Sequence, residues 1–74
     1  MQATRRLAGF TVPWGRQQIE LEELAFDAGG APLLRVRIRE GKRFTIFDID
    51  AATAAAWGDA MREWGASVPS EVAP

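Results

Sequence analysis

Apolar and polar residues alternate through most of the first fifty positions of this chain, and the period changes abruptly at Asp50. Phe10 and Val12 sit at period two within Arg5–Val12, which predicts a strand. Pro13-Trp14-Gly15-Arg16 then reads as a turn, with proline presetting φ and Gly15 free to take a positive φ. Between Gln17 and Phe26 the apolar positions are Ile19 and Leu21, then Leu24 and Phe26, so the parity changes midway. A β-bulge at Glu22-Glu23 restores the phase by inserting one residue; the alternative is that the strand ends near Glu23.

Asp27-Ala28-Gly29-Gly30-Ala31-Pro32 reads as a loop, because proline is confined to strand starts and edges. Leu34, Val36 and Ile38 then alternate with Arg35, Arg37 and Arg39. Arg39-Glu40-Gly41-Lys42 predicts a tight hairpin turn with Gly41 left-handed. Phe44, Thr45, Ile46, Phe47 and Ile49 follow as a strand that is apolar on both faces. Asp50 then precedes AATAAAW in the position of a helix N-cap. Ala54, Trp57, Met61 and Trp64 recur at spacings of three and four, forming one apolar stripe. Gly65 marks the expected helix stop, and ASVPSEVAP the start of a frayed tail.

The predicted fold is α+β: a four-stranded antiparallel β-meander with one C-terminal helix packed on one face, β-β-β-β-α. Residues 1–65 form a single mini-domain and residues 66–74 a flexible tail. Trp57 and Trp64 are expected in the core, with Ala54, Ala60 and Met61. Ala54, Gly58, Met61 and Gly65 also make a row of mostly small residues that lets another backbone come close. One helix covers one side of a sheet, so the other apolar side chains need a shield, either the N-terminal segment with Trp14 or a partner.

Composition narrows the chemistry. With 74 residues the chain is near the size at which a hydrophobic core alone still suffices, and without cysteine it has no disulfide or thiolate site to help. Histidine and tyrosine are also absent, which removes the usual near-neutral base, nitrogen ligand and phenolic acid. No segment approaches the ~20 apolar residues of a membrane span, and the N-terminal apolar patch is too short and broken for a signal peptide. A cytoplasmic protein without enzymatic activity, catalytic residues, metal or cofactor is the expectation.

RVRIREGKRFTIFDID is the densest candidate for a site. Arg35, Arg37, Arg39, Lys42 and Arg43, with Phe47 beside them or Phe44 if the turn register differs by one, form a possible interaction surface. A net charge of −1 provides no global basic field for nucleic acid. If the flanking strands form a hairpin, Glu22 lies near Arg37 and Glu20 near Arg39, and the ladder becomes a salt-bridged solvent face. Arg35 has no obvious acidic partner in that arrangement apart from Glu40. Asp48-Ile49-Asp50 is a D-x-D without the remaining ligands of a calcium loop, and capping accounts for Asp50. The glycines form neither a phosphate loop nor a dinucleotide fingerprint, and Thr45, Thr53, Ser67 and Ser70 have no histidine to activate them.

The run PWG followed by LLRVRIREGKRFTIFDIDAATAAAW resembles a group of small uncharacterised single-domain proteins of alphaproteobacteria, over roughly Phe10 to Gly65. The resemblance implies a strand-rich body with a C-terminal helix and brings no activity or catalytic residue with it. Together these readings describe a non-enzymatic protein-binding or accessory module of a bacterial cytoplasm, with a homodimer as one form of it. A weak anion or nucleic-acid binder is the alternative.

Overall fold

In the computed structural model, which describes residues 2–26 and 29–69, the order is β-β-β-β-α, as the pattern predicts. Strands β1 (Gln2–Thr11), β2 (Gln18–Phe26), β3 (Leu33–Glu40) and β4 (Arg43–Ile49) form one antiparallel sheet in chain order, followed by helix α1 (Ala51–Ser67). Sequential strands pair as hairpins, and the β3–β4 turn is short and carries the residue its geometry needs. Gly41 has φ 60° at the first of two turn residues between the paired Glu40 and Arg43, as a type II′ turn requires.

The β1–β2 turn departs from expectation. Arg16, not Gly15, takes the positive φ of 60°. The Arg16 N–H donates to the Val12 carbonyl at 2.8 Å and the Val12 N–H to the Gln17 carbonyl at 2.8 Å. These two bonds fix the loop length, and position 16 alone absorbs the left-handed step. Asp27 and Ala28 of the next loop lie outside the described residues, as do Ser70 and the last four residues of the expected tail.

Register corrects the bulge. β2 and β3 pair without interruption from Gln18↔Arg39 to Leu24↔Leu33, through both Glu22 and Glu23. The irregularity is instead in β1, where Leu7 is the extra residue between Arg6 and Ala8. The parity change in β2 is therefore real: Ile19 and Leu21 point to one side of the sheet, Leu24 and Phe26 to the other. Glu23, on the side of Ile19, stands opposite Arg5 and pairs with it at 3.1 Å.

The two sides differ in kind. One side carries the cross-strand rows Phe47-Val36-Leu21-Ala8 and Thr45-Ile38-Ile19-Phe10. The other carries Asp48-Arg35-Glu22-Arg6 and Ile46-Arg37-Glu20-Gly9. Helix α1 meets the first side at β3, with the Trp57 ring 6.0 Å from that of Phe47. Asp50 caps the helix as expected, its carboxylate accepting the Thr53 N–H at 3.3 Å and the Thr53 hydroxyl.

The helix continues through Gly65 to Ser67, and Val68 is extended (φ −98°, ψ 131°). Pro69 is the cause, since the residue before a proline is driven out of the α region. The Ser67 hydroxyl donates to the Trp64 carbonyl at 2.8 Å and satisfies one of the orphan acceptors of the last turn.

The core is much smaller than the composition suggests. Among the described residues only Leu24 and Val36 are buried, each 1% exposed. No residue of α1 is buried, and Trp57 (40%) and Trp64 (71%) are exposed rather than central. Trp14, at the β1–β2 turn, is 86% exposed and shields nothing. All seven aromatic side chains of the chain, three tryptophans and four phenylalanines, are exposed.

Candidate functional site

Alternation along β3 places Arg35, Arg37 and Arg39 on one face, and the neighbouring strands set what each meets. Arg35 lies directly opposite Asp48 and binds it with two nitrogens, Nε to Oδ1 at 2.9 Å and Nη2 to Oδ2 at 3.2 Å. This fork-on-carboxylate geometry is the strongest polar contact of the sheet. It raises the Arg35 pKa and lowers that of Asp48, in both cases chiefly through the hydrogen bond between them. The partner that Arg35 seemed to lack is thus the first aspartate of the D-x-D. The other, Asp50, is also held below the usual carboxylate range, chiefly by the Thr53 side chain. Both carboxylates are committed, and the described residues contain no cluster of three or more acidic groups suited to a metal ion.

Arg37 pairs with Glu22 at 3.3 Å, the pair expected from the sequence, but along the diagonal, because the residue directly across from it is Glu20. Glu20 pairs with Arg6 at 3.5 Å and not with Arg39. Gly9 makes room for this, since the Arg6 guanidinium lies where a side chain at position 9 would stand. The face is therefore a lattice of alternating charge, − + − + across Asp48, Arg35, Glu22 and Arg6.

Arg39 is the exception. It donates to the Gly41 carbonyl at 3.2 Å and has no ion pair among the described residues. Phe44 lies directly across from it and is exposed. A shallow concavity of about 320 Å³ opens there between Arg6, Gly9, Arg37, Arg39 and Phe44. The register thus settles the choice between the two phenylalanines: Phe44 stands with the arginines, and Phe47 is on the opposite side against Trp57. Arg43 also falls on that opposite side, and Lys42 lies in the turn. Of the six residues singled out from the sequence, the fold brings Arg35, Arg37 and Arg39 onto one surface.

A second surface is apolar and was read from sequence as core. Trp57, Ala60, Met61, Trp64 and Gly65 line an open apolar concavity along α1. Beyond the helix, Ile19 and Ile38 are half-buried and Phe10 is exposed. The 3–4 spacing that located this stripe says which helix face seeks cover, not which molecule supplies it.

The match to known families decides where the chain belongs. The model of a family of unknown function, DUF6967, matches residues 1–67. The chain is a member of that family. The match takes in all four strands and the whole of α1. No curated protein and no solved structure matches the chain. Among the described residues no helix is long and apolar enough to cross a membrane.

Proposed function

We propose that this member of DUF6967 is a small non-enzymatic protein-binding or accessory module whose working surface is the under-covered apolar side. The observation that carries the reading is the exposure of Phe10 and Phe47 on that side and of Trp57, Met61 and Trp64 on α1, together with a core of two buried side chains among the described residues. Large exposed apolar patches mark interaction sites, and tryptophan and phenylalanine are the side chains that contribute most there. A reducing, cytoplasmic setting suits a chain without cysteine. Capture from a native lysate is the test, comparing the unaltered protein with a Met61→Glu, Trp64→Glu double variant. A partner retained by the first and lost by the second supports the reading, and equal retention by both counts against it.

The arrangement at Arg39 supports a second reading, a weak anion or nucleic-acid contact through Arg39 and Phe44, with Arg35 and Arg37 on the same face, Lys42 in the adjoining turn and Arg43 on the other side of the sheet. Of the three β3 arginines Arg39 alone has no ion pair among the described residues, so few phosphates would be neutralised and affinity would fall with salt by a correspondingly small slope. Oligonucleotide binding that resists physiological salt would favour this reading over the first.

A further inference from the structure

The accessible surface is too large for a chain that folds alone. A folded monomer of 8.1 kDa is expected to expose about 4,500 Å², whereas this chain exposes 6169 Å². The eight residues outside the described set could account for at most about 800 Å² of the difference, the excess that the same length of unfolded chain would expose. About 900 Å² remains, close to the roughly 800 Å² that one partner contributes to a standard interface. The radius of gyration agrees, 14.6 Å against about 11 Å for a compact chain of this length.

Part of the exposed apolar surface lies in two patches on the side of the sheet that α1 meets. Along α1 the apolar stripe Ala54, Trp57, Met61, Trp64 continues to Val68 at the same spacing. Its first half lies by Phe47, while Met61, Trp64 and Val68 are exposed. The helical positions flanking the stripe are Gly58, Ala60, Gly65 and Ser67, all small and uncharged. Asp59, Arg62 and Glu63 fall on the opposite side of the helix by its 3.6-residue period. The other patch is the sheet row of Phe10, Ile19 and Ile38, in which Phe10 is exposed and both isoleucines are half-buried.

We infer that both patches are covered by a second copy of this chain, in a twofold dimer where the C-terminal half of each α1 seats on the open apolar side of the other protomer. The inference rests on the interaction-module reading and names its partner. An isologous contact needs a surface that holds both halves of the match. This chain carries both, an exposed apolar stripe at Met61 and Trp64 and a sheet row with Phe10 exposed and Ile19 and Ile38 half-buried. The small flanks of the stripe allow close approach, and no charge has to be buried with it. A partner of different sequence would leave the chain with a two-residue core until it arrived, whereas a copy is present from synthesis and folds with it.

Sedimentation equilibrium and urea denaturation over a range of protein concentrations test this on the full chain. The expected result is a dimer at micromolar concentration with an unfolding midpoint that rises with concentration. Trp64→Glu and, on the sheet row, Phe10→Glu should each weaken the dimer by about a hundredfold or more, because each buries an unpaired charge. Arg62→Ala, on the far side of the helix, should leave it unchanged. A Trp64→Glu chain that fails to fold supports the dimer only alongside a concentration-dependent wild-type midpoint. A wild-type monomer with a concentration-independent midpoint overturns the second copy as partner, yet leaves the module reading standing if capture still depends on Met61 and Trp64. A dimer that survives both charged variants overturns this interface.

Discussion

The two sides of the sheet solve the same problem in opposite ways. On the charged side Asp48, Arg35, Glu22, Arg37, Glu20 and Arg6 find partners within the chain, so those charges are satisfied when the sheet forms, while Phe44 and Ile46 stay exposed among them. On the apolar side Val36 is buried, but Phe10, Phe47, Trp57, Met61 and Trp64 remain exposed after every element is in place. Charge can be satisfied locally, by one neighbour at about 3 Å. Apolar surface needs a second layer of comparable area, and a single helix that meets the sheet mainly at β3 does not provide it. The ion pairs of one side are therefore satisfied within the chain, whereas much of the apolar surface of the other is not.

The largest effect that would sharpen this contrast is expected at Leu24, the buried residue on the charged side. Leu24→Ala should destabilise by about 2–5 kcal/mol in chemical denaturation, the range for truncations at fully buried sites. A change below the lower limit would mean that this end of the sheet contributes little, and that stability resides on the apolar side. Asp50→Ala comes next. Loss of the cap should cost about 1 kcal/mol and reduce helicity by circular dichroism. Unchanged helicity would indicate that packing against Phe47, rather than the cap, sets where α1 begins.

A double-mutant cycle on Glu22 and Arg37 should return coupling of roughly 0.2–1 kcal/mol, the range for exposed cross-strand ion pairs. Coupling of zero would break the picture of a self-satisfied charged side and release Arg37 for binding. The pH response gives the finest distinction. Asp48 and Asp50 are both depressed in the folded state, so their contribution is present above the ordinary carboxylate range and is lost as pH falls through their lowered values. The denaturation midpoint should fall on acidification, and Asp48→Asn should flatten that fall. An equally steep response in the variant would assign it to Asp50 or to other carboxylates.

Element order was readable because each element carries its own local signal: alternation in β3, Gly41 in the turn, Asp50 before an alanine-rich run. Even the Glu22–Arg37 pair followed from hairpin geometry, although the true register makes it diagonal. What failed was non-local. The parity change in β2 suggested an inserted residue, whereas β2 simply turns apolar groups to opposite sides at its two ends, and the insertion falls at Leu7 in the partner strand. The Arg35–Asp48 fork depends on the β3–β4 register, which the turn fixes and which strand composition does not display. The helix end was missed for a local reason, since Gly65 outweighed the more decisive Pro69. The site suffered most from one assumption: an apolar helix stripe was equated with a monomer core. Periodicity identifies a face that avoids water, and that face is the same whether its cover comes from the same chain or another.

The extra residue at Leu7 has a consequence for how far association can go. An open sheet offers its outermost strands as templates, and a flat one invites copies to add edge to edge without limit. The extra residue breaks the regular spacing of donors and acceptors on β1, while Arg5 and Arg6 place two cations beside the break. Growth through that strand is therefore discouraged by geometry. A twofold dimer of the kind inferred above would instead close after one partner, because its contact consumes the surface that made it. The extra residue at Leu7 makes the β1 edge a poor template for a further strand.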